Sequence, residues 1–228
     1  MTDVCFYFQV HQPYRLRHLR ALAPRKAPLA ALDLFDDAEN ARIVRRVAER
    51  GYLPTNELLA RCIEETDGAF RCAFSISGTA LSQLEAWAPE ALQSFVDLAE
   101  TGCAEILCET SHHSLAALVD PDEFRSQVDS HRRRITELFG VEPTAFRNTE
   151  LVISEPIARM VEDMGFEALL GEGADGLLKG RSAHVVWQPR GCSKLALLLR
   201  DYPLSDDIAF RFSNVKWPGH PLFADTFA

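Results

Sequence analysis

The sequence predicts an α/β protein built on a parallel sheet. Short apolar runs with strand periodicity recur along the chain, and amphipathic helical stretches separate most of them. Strands that alternate with helices join by right-handed crossovers, which makes the sheet parallel. The runs are too many for a small three-layer domain and are spaced as in a barrel. An open doubly wound sheet is the alternative. Its dinucleotide-binding form is disfavoured, because no Gly-x-Gly-x-x-Gly follows the first strand, and no P-loop occurs.

Residues 4–10 form the first expected strand, with Val4, Phe6, Phe8 and Val10 on one face and Cys5, Tyr7, Gln9 and His11 on the other. Pro13 ends it, and a basic, Pro-containing excursion fills 15–35. Helices are expected near 39–50 and 54–65, then a strand at 70–76 closed by Ser77-Gly78. A helix pair over 79–101 stops at Gly102, and 103–109 is the third strand. Asp120 caps the next helix, Pro121 fits its first turn, and Glu123 can close a capping box. Phe124, Val128, Ile135 and Leu138 line its buried face, and Gly140 stops it. A fourth strand at 144–150 precedes a helix capped by Ser154 that ends at Gly165. Three more strands are expected at 166–170, 184–187 and 195–199.

At 228 residues the chain suits one domain, with neither an internal repeat nor a linker. Its formal net charge of −9 argues against non-specific DNA or RNA binding. No apolar run approaches the ~20 residues of a membrane-spanning helix. Residues 1–10 lack the basic start of a signal peptide, and none of the six cysteines forms a Cys-x-x-Cys pair. A reducing, cytoplasmic setting without disulfides is expected.

Reactive side chains of a parallel α/β barrel gather where strands end. Three strand ends here are more polar than packing requires. The first is Gln9-Val10-His11-Gln12-Pro13, which also reads as a capped strand with a hydrogen-bonded histidine. The second is Glu109-Thr110-Ser111-His112-His113; adjacent histidines point different ways, so at most one faces a site, and the segment also reads as a plain loop with solvated histidine. In the third, Phe146-Arg147-Asn148-Thr149-Glu150-Leu151, a strand places Asn148 and Glu150 on one face and Arg147 on the other. A carboxylate there is costly to bury without a purpose or a partner. Glu150 with a second carboxylate would suit glycosidic-bond chemistry. Converging His11 and His113 would instead suit a metal-dependent carbohydrate deacetylase. Spacing alone leaves both open, together with a purely structural role.

These blocks, in this order, resemble glycoside hydrolase family 57, which includes α-amylases and 4-α-glucanotransferases. Phe8-Gln9-Val10-His11-Gln12-Pro13 resembles the family's first motif, and the segment from Gly102 to Leu115 its second. Phe146-Arg147-Asn148-Thr149-Glu150-Leu151 resembles the third, in its α-amylase-like form. Tyr202 to Ile208 and Phe210-Arg211-Phe212 are similar to the same branch. The resemblance implies a catalytic (β/α)7 barrel, an incomplete relative of the TIM barrel, over 1–228. It implies retaining chemistry on an α-glucan or maltooligosaccharide, with no metal and no other cofactor. Glu150 would be the nucleophile, and His11, His113, Gln9 and Asn148 would bind the sugar. Trp217 would be a platform for a sugar face, or else an ordinary loop aromatic.

The family's general acid is an Asp in a fourth motif, and no acidic residue after Glu150 stands in that context. The expectation is therefore an amino-terminal barrel portion, truncated at its C-terminal side, that is inactive or nearly so. An unclosed barrel edge would invite self-association. Two rival classes are the metal-dependent deacetylase, with His11 and His113 as ligands, and a non-catalytic glucan-binding remnant.

Overall fold

The structure is a computed structural model that describes residues 4–17 and 34–227. Residues 18–33 of the expected basic excursion lie outside the described residues. At its two ends, Leu16 and Phe35 form an isolated antiparallel bridge. The chain folds as two compact units, Met1–Pro143 and Thr144–Ala228.

The first unit is built on three parallel strands in the order β1-β2-β3: Phe6–Val10, Cys72–Ile76 and Ala104–Leu107. Gln9 is in register with Ser75, and Ser75 with Leu107, so the polar strand ends lie side by side. Helix α1 (Asp37–Val47) starts where the Asp36 side chain accepts the Glu39 N–H at 3.0 Å. It runs through a π-helical turn, Ala48–Tyr52, into α2 (Leu53–Glu65). Pro54, in the first turn of α2, has no N–H to give, and the wider turn before it takes up the mismatch. The helix pair divides at Ala88 into α3 (Gly78–Trp87) and α4 (Pro89–Glu100).

The core of this unit gathers Phe74, Ile76, Leu81, Leu84, Phe95, Leu98 and Ile106. Phe74 and Phe95 meet edge to face at 5.2 Å. Each such side chain contributes about 1.5–3 kcal/mol through burial. Helix α5 (Pro121–Phe139) is capped by Asp120, which accepts the N–H groups of Asp122 and Glu123, and it ends on Gly140 at φ 68°. The expected capping box does not close. The Asp120 N–H is already given to the Ala116 carbonyl at 2.8 Å, and Glu123 accepts from Gln127 instead.

The second unit carries β4 (Ala145–Arg147), β5 (Ala168–Glu172) and β6 (Ala196–Arg200), again parallel and in that order. Helix α6 (Glu155–Asp163) follows Ser154, whose hydroxyl accepts the Ile157 N–H. Short helices α7 (Asp175–Leu178), α8 (Tyr202–Asp206) and α9 (Ala224–Phe227) complete it. The Glu162 carboxylate gathers the N–H groups of Ser193, Lys194 and Leu195 at 2.7, 2.6 and 3.0 Å and so fixes the entry to β6. Those backbone donors hold its carboxyl below the usual carboxylate range.

Two expected strands are corrected. Residues 184–187 form none; Trp187 makes only an isolated antiparallel bridge to Leu197. The Ser182 hydroxyl takes the His184 N–H and the Ser182 carbonyl takes the Trp187 indole N–H, local bonds that compete with a ladder. The strand expected at 144–150 stops at Arg147. The chain turns because the Asn148 carbonyl accepts the Leu151 N–H and the Asn148 amide donates to the Val152 carbonyl. Glu150 therefore does not share a strand face with Asn148. Among the described residues no helix is long and apolar enough to cross a membrane.

Candidate functional site

In the first unit the strand ends converge as their sequence suggests. Gln9 and His11 come from the end of β1, Ser75 and Ser77 from β2 and the residue beyond it, and Glu109 to His113 from the segment after β3. Ser75 and Glu109 are both 0% exposed. The Ser75 hydroxyl donates to one Glu109 carboxylate oxygen at 2.9 Å. The other carboxylate oxygen lies 2.9 Å from Nδ1 of His113. Gln9 Nε2 sits 3.2 Å from His113 Nε2. The His11 ring stacks on His113 with centroids 4.1 Å apart and planes 23° from parallel. His11 Nδ1 is 2.8 Å from the Ser77 hydroxyl, which also caps α3 through the Ala80 N–H.

Gln9, His11 and His113 are thus brought together. His112 turns away and bonds its neighbour Ser111, as expected of the second of two adjacent histidines. His113 has a left-handed backbone, φ 53°. For a non-glycine residue that costs about 1–3 kcal/mol and persists only where surrounding structure enforces it. Gly78 is part of that enforcement. A Cβ there would stand 2.5 Å from the Ser111 carbonyl oxygen, so only glycine lets α3 approach the histidine loop so closely.

A second histidine network lies beneath. His131, on α5, is fully buried. Its Nε2–H donates to the Ile76 carbonyl at 2.8 Å, and its Nδ1 accepts the Glu109 N–H at 3.2 Å. Burial holds its pKa below the ordinary histidine value, partly countered by the nearby Glu109 carboxylate and the bond to Ile76. A neutral ring is the form that both bonds require. His131 joins the ends of β2 and β3 from behind and anchors the residue that holds His113. The sequence carries a signal for it: position 131 stands three after Val128 and four before Ile135, on the buried helix face.

In the second unit, Asn148 is 2% exposed, and its Oδ1 is buried without a hydrogen-bond partner among the described residues. Glu150 is exposed and lies past the strand with φ 54°. Like His113, it is a candidate residue in a strained conformation. Trp217 is half-buried, and its indole closes over Gly219, where a Cβ would stand 2.6 Å from the ring. At the ends of β5 and β6, Glu172 and Arg200 pair at 2.7 Å. Among the described residues no group of three His, Cys, Asp or Glu side chains gathers that could hold a metal ion. The first-unit cluster is a dense set of alternating donors and acceptors beside imidazole faces. That composition suits a ligand rich in hydroxyl groups.

The family model for glycosyl hydrolase family 57 matches residues 5–228. A Methanocaldococcus jannaschii protein provisionally named an alpha-amylase is 39% identical over 227 residues. That alignment takes in 99% of this chain and 47% of the relative, so the chain spans about half the relative's length. The 4-alpha-glucanotransferase of Thermococcus litoralis has a similar fold, with a TM-score of 0.68 at 18% identity over 91% of this chain and 29% of that one. The alpha-amylase AmyC of Thermotoga maritima gives 0.64 at 13% identity, over 91% and 47% of the two chains.

Proposed function

The chain belongs to glycosyl hydrolase family 57, and from that premise we propose that it forms the catalytic barrel portion of an enzyme that cleaves or transfers α-glucan glycosidic bonds with retention. The family match over 5–228 carries this reading, and the hydroxyl-suited cluster of Gln9, His11, His113 and Glu109 supports it. Residues 1–228 are read as one domain. The two three-stranded parallel sheets are read as parts of an incomplete (β/α)7 barrel. The unpaired cysteines fit a reducing, cytoplasmic compartment.

In this reading the Glu150 carboxylate attacks the anomeric carbon of the bound sugar. The bond to the leaving oxygen breaks as a second carboxyl group protonates it, leaving a glycosyl ester on Glu150. Water resolves the ester in hydrolysis, and a sugar hydroxyl resolves it in transfer. His11, His113 and Gln9 are read as binding sugar hydroxyls, with Asn148 and Trp217 as further sugar-binding residues. Glu150 is exposed on its turn, past the end of β4. The family's fourth motif has no counterpart in residues 1–228, so these residues alone are expected to be inactive, or nearly so, on soluble starch.

Titration calorimetry with maltoheptaose tests the binding part. The 228-residue chain is expected to bind it with millimolar or better affinity, and His113→Ala to weaken that binding at least tenfold. Absence of any binding by the wild-type chain contradicts the reading.

A further inference from the structure

We propose that the cavity at the carboxyl ends of β5 and β6 is a second sugar-binding site, where Asp175, Arg200 and Tyr202 hold a glucose unit of the glucan other than the one at Glu150. The inference deepens the reading of the chain as glucan-acting and rests on it.

The cavity lies wholly within the second unit. Its volume is about 450 Å³, and Asp175, Leu178, His184, Arg200, Tyr202 and Leu204 are among its lining residues. That volume is in the range of small-ligand sites, and parallel sheets bind ligands outside the carboxyl ends of their strands. Side chains from separate segments tie its walls together. Gly173, just past β5, runs so near β6 that a Cβ there would stand 2.5 Å from the Arg200 carbonyl oxygen. Asp201 caps α8 by accepting the Leu204 N–H at 3.1 Å, and its other carboxylate oxygen lies 2.6 Å from His184 Nε2. The Tyr202 hydroxyl donates to Asp175 at 3.1 Å and so joins the start of α8 to the start of α7. That hydrogen bond, and the Asp175 charge behind it, raise the Tyr202 pKa, so the phenol keeps the proton it donates.

The lining suits a sugar ring. Tyr202, Leu178 and Leu204 give it apolar surface for a C–H face. Arg200 pairs with Glu172 through one guanidinium nitrogen at 2.7 Å, and a guanidinium carries five N–H donors. Asp175 is exposed, and the Tyr202 bond occupies one of its two carboxylate oxygens. A carboxylate and a guanidinium together bond hydroxyls as acceptor and donor. The place in the sheet then selects the sugar unit. The turn bearing Glu150 follows β4, and β5 lies between β4 and β6. One to two strand spacings, roughly 5–10 Å, separate the cavity from the end of β4. It therefore takes a different unit of the chain from the one that Glu150 attacks.

The test is NMR titration of the isotope-labelled 228-residue chain with maltoheptaose, followed by calorimetry on variants. Signals of Asp175, His184 and Tyr202 are expected to shift on binding. Tyr202→Ala is expected to weaken maltoheptaose binding about tenfold, and Asp175→Asn, which keeps the shape, about threefold. If Tyr202→Ala does not fold, the wild-type shifts and Asp175→Asn decide. Maltoheptaose binding without shifts at these three residues, or with both variants within about 1.5-fold of wild type, overturns the proposal and leaves the glucan reading standing. Absence of any binding by wild type overturns both. Binding that these variants weaken and His113→Ala does not supports this cavity against the first-unit cluster.

Discussion

Replacing His131 with phenylalanine tests the foundation of the site. The new ring fills the space of the imidazole but offers neither a donor nor an acceptor. The Ile76 carbonyl loses a bond of 2.8 Å and the Glu109 N–H one of 3.2 Å, both behind the strand ends. A buried polar group left without a partner costs about 1–3 kcal/mol, and the apolar ring recovers part of that for the two groups together. A net loss of about 2–4 kcal/mol is expected, or a fall in melting temperature of roughly 5–15 °C.

The pH dependence adds a sign. Burial keeps the folded-state pKa of His131 below the unfolded value of about 6.5. Between those two values the unfolded chain binds the extra proton, so wild type loses stability as pH falls through that window. Above about pH 6.5 this contribution is fully present. Calorimetry from pH 8 to pH 5 should show both the lower melting temperature of His131→Phe and a flatter pH profile. A variant within about 1 kcal/mol of wild type, with the same pH profile, would refute the reasoning.

Three further outcomes follow from the same geometry. Gly78→Ala must push the Ser111 carbonyl away from a Cβ that would stand at 2.5 Å, so maltoheptaose affinity in calorimetry should fall about tenfold while the chain, destabilised by roughly 1–3 kcal/mol, still folds. Glu162→Ala frees three backbone N–H groups before β6, so hydrogen exchange at Ser193 to Leu195 should accelerate. In wild type the same amides should loosen as pH falls through the lowered carboxyl pKa of Glu162, because protonation removes the acceptor charge. Glu150→Gln, placed in the longest natural form of the protein, should abolish turnover of maltooligosaccharides while leaving binding within about threefold; undiminished turnover would remove Glu150 from the nucleophile role.

The alternation of strands and helices was legible in the sequence because each element carries its own signal. Asp36, Ser77, Asp120 and Ser154 cap the helices they precede. Gly102, Gly140 and Gly165 adopt positive φ where helices stop. The exact strand lengths were less legible. Residues 144–150 read as one strand, yet the Asn148 side chain bonds the backbone four residues on and bends the chain before Glu150. The apolar run at 184–187 carries strand composition, but local bonds to Ser182 claim its backbone and its indole.

The candidate site was half legible. Gln9, His11 and His113 stood out as polar residues at strand ends, and the structure gathers them. The roles of Glu109 and His131 depend on contacts across 22 residues of sequence, which periodicity does not encode. A buried histidine on a helix face reads locally as an ordinary amphipathic exception. Its meaning comes only from what lies opposite.

The central claim, that Glu150 is the nucleophile, is tested most directly by covalent trapping with 5-fluoro-α-D-glucosyl fluoride. Fluoride leaves without protonation, so the C1–F bond can break and a C1–O bond to the carboxylate can form without the general acid. Intact-mass measurement of the 228-residue chain should show one added fluoroglucosyl group, mapped by peptide sequencing to Glu150 and lost in Glu150→Gln. A label on any other carboxylate, or no label on a chain that binds maltoheptaose, would contradict the account.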